Sequence, residues 1–121
     1  MGTSLRLVLA SSAVDDLTHP RVLLDRRTQV QIVGVRDPRE HAGAAIPDAR
    51  RLPLTRIMSG GGVLDPQRPV VVVCKSGAES ELVALMLQVH GFEASSLPGG
   101  MEAWRREGLP AVASSDPAGT G

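Results

Sequence analysis

Residues 70–74 read Val-Val-Val-Val-Cys, and no other stretch of this chain constrains the fold as tightly. Four consecutive β-branched residues without polar alternation fit a strand buried on both faces, as interior strands of parallel sheets are. The next residues, Lys75-Ser76-Gly77-Ala78-Glu79-Ser80, form a loop rich in small residues that opens into an apolar helical pattern. In open α/β sheets reactive groups collect at the carboxyl ends of such strands, where the following helix begins. A thiol placed there faces free backbone N–H groups and the positive end of a helix dipole, and both favour the thiolate. Position alone therefore makes Cys74 the candidate nucleophile, in a shallow pocket with loop amides directed at its sulfur.

Around this centre, strand and helix patterns alternate, the signature of an α/β fold. A short edge strand is expected over Leu5–Ala10, and Ser12 with Asp15 resembles a capping box for a helix through Leu17. Pro20 suits the first position of a helix running to about Arg27. Gln29–Val35 reads as a strand, Asp37-Pro38 as a helix start, Ile46-Pro47-Asp48 as a turn and Arg50–Leu54 as a strand. Ser59–Gly62 reads as a flexible loop and Asp65-Pro66 as a turn before the Val70–Cys74 strand. Over Ala78–His90 the pattern places Leu82, Leu85, Met86 and Val89 on one helical face, widened by Val83 and Leu87. Gly91 suits the helix end. A last strand over Phe92–Leu97, a Pro98-Gly99-Gly100 turn and a helix over Met101–Glu107 complete the pattern. One domain over 1–112 is expected, with a flexible tail over 113–121 of disorder-like composition.

Composition excludes several classes. The chain has 121 residues and no formal net charge, with 13 basic and 13 acidic side chains. No basic patch speaks for nucleic acid or a membrane surface. Lys75 is the only lysine, and asparagine and tyrosine are absent, a bias expected of a GC-rich bacterial genome. A single cysteine rules out an internal disulfide framework and any multi-cysteine metal site. The amino-terminal apolar run, Leu7–Ala10, is shorter than the roughly 7–15 residues of a signal-peptide core. No stretch approaches a transmembrane span, so a cytoplasmic location is the default. His19, His41 and His90 fall on separate elements, which argues against a metal site; no cofactor is expected. Trp104 reads as core packing for the final helix, and Ser80 as an ordinary residue of a helix start.

Three segments, IVGVRDPREHAGAAIPDARRLPL, VVVVCKSGAES and LPGGMEAWRREGLPAV, together resemble a single-domain rhodanese over roughly residues 29–112. The resemblance implies a doubly wound fold with a mainly parallel central sheet and helices on both faces. It also implies sulfurtransferase chemistry through a cysteine persulfide. The family's cysteine falls on Cys74, and its substrate loop on Lys75, Ser76, Gly77, Ala78 and Glu79. The closing GGxxAW pattern is carried by Gly99, Gly100, Ala103 and Trp104. Expected partners are a small anionic sulfur donor such as thiosulfate, a thiol or cyanide acceptor, and a possible protein sulfur acceptor, with neither nucleic acid nor membrane.

The chemistry fits the loop. Amides at a helix start stabilise both a thiolate and a terminal persulfide anion. Gly77 lets the loop curl without a Cβ clash, Ser76 offers a hydroxyl, and Lys75 places a positive charge beside the nucleophile. Three positions depart from the family pattern. Gly34 stands where an aspartate is usual, Ala44-Ala45 where Gly-His is frequent, and Glu79 where many relatives have arginine. The aspartate and arginine of the family can pair, and both are missing here, so neither charge is stranded. Glu79 suits a helix start, yet a like charge near the thiolate opposes its activation and repels an anionic donor. Weaker thiosulfate turnover is therefore expected. A second reading is a non-catalytic or regulatory module that binds a partner. A phosphatase-like reading needs arginine at position 80 to grip phosphate, and serine stands there.

Overall fold

Parallel neighbours on both sides are what the Val70–Val73 run requires, and the computed structural model, which describes residues 17–35, 44–58 and 64–113, supplies them. In chain order the elements are α1 (Pro20–Asp25), β1 (Gln31–Val35), β2 (Ala44–Ala45), β3 (Arg50–Leu52), α2 (Leu54–Met58), β4 (Val70–Val73), α3 (Ala78–Val89), β5 (Ala94–Ser96), α4 (Gly100–Arg106) and β6 (Val112–Ala113). Strands β3, β1, β4 and β5 form one sheet in that order, every pairing parallel. Strands β2 and β6 form a separate antiparallel pair.

Successive side chains on a strand point to opposite faces, and each face here has its own core. Val33, Val35, Val70 and Val72 pack towards Val83, Ala84 and Leu87 of α3 and Ile57 of α2. Ile32, Val71 and Val73 pack towards Leu23 of α1 and Met101 and Trp104 of α4. Helices therefore cover both faces, and the architecture is the doubly wound α/β fold expected from the sequence. The four β4 valines are 0–3% exposed, each contributing on the order of 1.5–3 kcal/mol by leaving water. Trp104 is wholly buried, and its indole N–H donates to the Pro110 carbonyl at 2.9 Å, which ties the segment after α4 back to the core.

At the amino end of β4 a buried polar side chain fixes the approach. Gln31 Nε2 donates to the carbonyls of Asp65 (2.8 Å) and Arg68 (3.2 Å), and its Oε1 accepts the Asp65 N–H at 2.8 Å. These bonds account for backbone groups that a turn leading into an interior strand leaves without ladder partners.

Several local expectations need correction. The buried side of α3 is Ser80, Val83, Ala84 and Leu87, whereas Leu82, Leu85 and Val89 are 61%, 56% and 79% exposed. The helix is apolar almost all round, so periodicity could not select a face; docking against β4 and β5 did. The strand expected over Arg50–Leu54 ends at Leu52, because Pro53 begins a new turn and its carbonyl accepts the N–H groups of Arg56 and Ile57. Strand β5 covers only Ala94–Ser96, and β6 follows it. Ala113, assigned to the tail, pairs with Ala44. The expectations for Leu5–Ala10, the Ser12–Asp15 cap, Asp37-Pro38, His41, Ser59–Gly62 and the tail from 114 lie outside the described residues.

Candidate active site

From β1 the chain moves outward to β3 and then returns to β4 on the other side of β1. Such a reversal of strand order opens a crevice between the carboxyl ends of the two central strands. Cys74 is the first residue after β4, and Gly34, near the end of β1, pairs with Val73. The topology thus sets the only cysteine at the switch point.

The loop after Cys74 turns its carbonyls one way and its amides the other. The Cys74 and Lys75 carbonyls accept the N–H groups of Met101 (2.9 Å) and Glu102 (3.1 Å), in the first turn of α4. On the inner side, the Cys74 sulfur accepts the Gly77 N–H at 3.0 Å and the Ser80 N–H at 3.4 Å. Both amides belong to the start of α3, whose first N–H groups have no partner within the helix. Two glycines permit this close packing. Gly77 has φ +101°, and a Cβ there would stand 2.9 Å from the Gly99 nitrogen. Gly100 has φ +55°, and a Cβ would collide with the Cys74 carbonyl and lie 2.8 Å from the Lys75 carbonyl oxygen.

A third group reaches the sulfur. Ser80 is fully buried, and its Oγ lies 3.4 Å from Cys74 Sγ while donating to the Gly77 carbonyl at 3.1 Å. From the sequence, Ser80 reads only as a residue of a helix start. The signal was present: positions 80, 83, 84 and 87 form the i, i+3, i+4, i+7 stripe of α3, and its first member, nearest the thiol, is polar.

Among the residues expected at the site, Gly77 is buried beside the sulfur, and Lys75, Ser76, Ala78 and Glu79 are exposed around it. Cys74 is only 4% exposed, so its sulfur lies deeper than a shallow pocket implies. A cavity of about 20 Å³ adjoins it, lined by Cys74, Gly34, Ala45, Arg51 and Met101 among others. That is room for one water-sized group. Two of the three departures from the family pattern, Gly34 and Ala45, line this cavity. A larger open groove of about 870 Å³ runs along the outside of α3 and β5 from Ser76, Gly77 and Ala78 past Leu82, Leu85 and Ser96. Among the described residues no group of three or more His, Cys, Asp or Glu could hold a metal ion. None of their helices is long and apolar enough to cross a membrane.

A cysteine at the switch point of a doubly wound sheet, its sulfur held by amides at the start of the following helix, defines a class of cysteine-centred α/β proteins. The rhodanese-like domain family matches residues 20–107, and the chain belongs to that family. It is 40% identical over 85 residues to a sulfurtransferase of Allochromatium vinosum, covering 69% of this chain and 79% of that protein. The thiosulfate sulfurtransferase GlpE of Vibrio cholerae is 31% identical over 100 residues, covering 82% and 93%. Among solved structures, a rhodanese-like domain protein from Staphylococcus aureus superposes with a TM-score of 0.61 at 27% identity, covering 70% of this chain and 86% of that one. Membership and these relatives give the chain a sulfurtransferase-family role.

Proposed function

We propose that the protein moves sulfane sulfur from a thiosulfate-like donor to a thiophilic acceptor through a persulfide on Cys74. The observation that carries this reading is the placement of the Cys74 sulfur against the Gly77 and Ser80 amides at the start of α3. In the first half-reaction the Cys74 thiolate attacks the outer sulfur of thiosulfate. A Cys74–sulfur bond forms, the donor's sulfur–sulfur bond breaks, and sulfite leaves with the bonding pair. In the second, cyanide or a thiolate attacks the outer persulfide sulfur and the Cys74 thiolate is released.

The amides stabilise the anion at the start and end of the cycle, and the cavity beside Cys74 offers space for one added atom. Lys75 and Ser76 meet the donor at the rim, and Gly77 and Ala78 supply the loop backbone around it. Glu79 is the rim charge that disfavours an anionic donor. The described residues through Ala113 act as a single domain, and the cytoplasm is the fitting compartment, since a lone thiol stays reduced there. In a rapid-quench experiment, thiosulfate should release one sulfite per chain in a burst, and cyanide should then yield thiocyanate. Cys74→Ser should do neither; a parental burst from that variant overturns the reading.

The second reading, a partner-binding module without turnover, draws on the exposed Leu82, Leu85 and Val89 along α3. It predicts no sulfite burst from the parent protein.

A further inference from the structure

Ser96 closes β5, is half-buried, and places its Oγ 2.7 Å from Ser80 Oγ. Ser80 Oγ therefore has three neighbours: Cys74 Sγ at 3.4 Å, the Gly77 carbonyl at 3.1 Å and the Ser96 hydroxyl. A hydroxyl has one proton and two lone pairs. With a neutral thiol, the S–H donates to Ser80 Oγ and the Ser80 proton goes to Gly77. Loss of the thiol proton changes this count. The thiolate can no longer donate to Ser80 Oγ, so that contact stays a hydrogen bond only if the Ser80 hydroxyl proton turns from the Gly77 carbonyl to the sulfur.

Ser96 bears on that choice because its own O–H can donate into a Ser80 lone pair. A donor there fixes the oxygen's position beside the sulfur and polarises the remaining O–H, strengthening it as a donor. We propose that Ser96 is a positioning residue whose hydroxyl holds Ser80 as the third hydrogen-bond donor to the Cys74 thiolate. Position 96 is remote in sequence from the loop and carries no motif; only the arrangement of β5 beside β4 brings it there. The inference rests on the reading of Cys74 as a thiolate nucleophile, and its test does not require sulfur transfer.

The test is the pH profile of Cys74 alkylation by iodoacetamide in the full chain. In Ser96→Ala the midpoint should move to higher pH, so that alkylation at pH 7 slows about three- to tenfold, while the plateau rate at high pH stays within about twofold. Ser96→Thr, which keeps a hydroxyl, should restore the parental profile. Ser80→Ala combined with Ser96→Ala should be no slower than Ser80→Ala alone, since the two act as a unit. Among the described residues, charged side chains on the elements packed around the thiol include Lys75, Glu79 and Glu81 on the loop and α3, Arg50 and Arg51 of β3, the latter on the cavity wall, and Glu102, Arg105 and Arg106 of α4. These substitutions change none of them, so a displaced midpoint reports the hydroxyl pair. A parental midpoint in Ser96→Ala, failure of Ser96→Thr to restore the profile, or full additivity in the double variant overturns the proposal. A parent protein that alkylates as described but forms no persulfide overturns the sulfurtransferase reading and leaves this one standing.

Discussion

At the amino end of the sheet, Gln31 uses both ends of its amide on the backbone of Asp65 and Arg68, leaving a closed set of hydrogen bonds. At the carboxyl end, the amides of Gly77 and Ser80 and the Ser80 hydroxyl converge on one sulfur, with a small cavity beside it. Both ends satisfy buried polar groups, but only the second does so through a partner whose charge can change. The first arrangement is suited to holding the chain into β4; the second is suited to chemistry. Stability and activity should therefore separate along the length of one strand.

The largest effect expected is at the contact that pins the reactive loop to α4. Gly100→Ala forces a Cβ into the Cys74 carbonyl at a positive φ, and should cost about 3 kcal/mol in urea unfolding as well as sulfur-transfer activity. Unchanged stability would show that the loop and α4 are not packed as described. Next comes the separation itself. Gln31→Ala removes three hydrogen bonds to the part-buried backbone of Asp65 and Arg68 and should cost about 1–3 kcal/mol, with kcat for sulfur transfer within about twofold of the parent. Ser80→Ala should show the reverse, a loss of about 1 kcal/mol or less with kcat/KM down about ten- to a hundredfold. Equal falls in activity for both variants would break the comparison between the two ends.

Smallest is the rim charge. Glu79 is exposed, so Glu79→Gln should raise kcat/KM for thiosulfate only severalfold, by removing a repulsion between like charges. The gain should shrink at high salt, because exposed charges are screened beyond about 8–10 Å. A salt-independent gain, or none, would mean that this carboxylate does not face the donor.

Much of this division was legible in the residues. The uninterrupted valines announced an interior parallel strand, and a cysteine at its end with a glycine three residues on announced a loop amide directed at the thiol. What escaped the sequence depends on contacts between distant segments. The buried side of α3 was decided by the sheet, since Leu82 and Leu85 are as apolar as Val83 and Leu87. Ser80 looked like a helix-start residue because its second partner, Ser96, lies on another strand. Gln31 was unremarkable inside a strand pattern until the turn at Asp65 came to rest on it. The β2–β6 pair joins two-residue segments 67 positions apart, too short to leave any pattern. The depth of Cys74 likewise follows from α4 docking over the loop, which the GGxxAW pattern marks without giving its geometry.

The central claim is that sulfur chemistry is confined to the carboxyl end of β4, on Cys74 alone. Intact mass spectrometry after incubation with thiosulfate tests it directly. The parent and Gln31→Ala should each gain the mass of one sulfur atom, lost again on adding cyanide, while Cys74→Ser should gain none. A parent protein that gains nothing, or a Cys74→Ser variant that gains the same cyanide-sensitive sulfur, would contradict it.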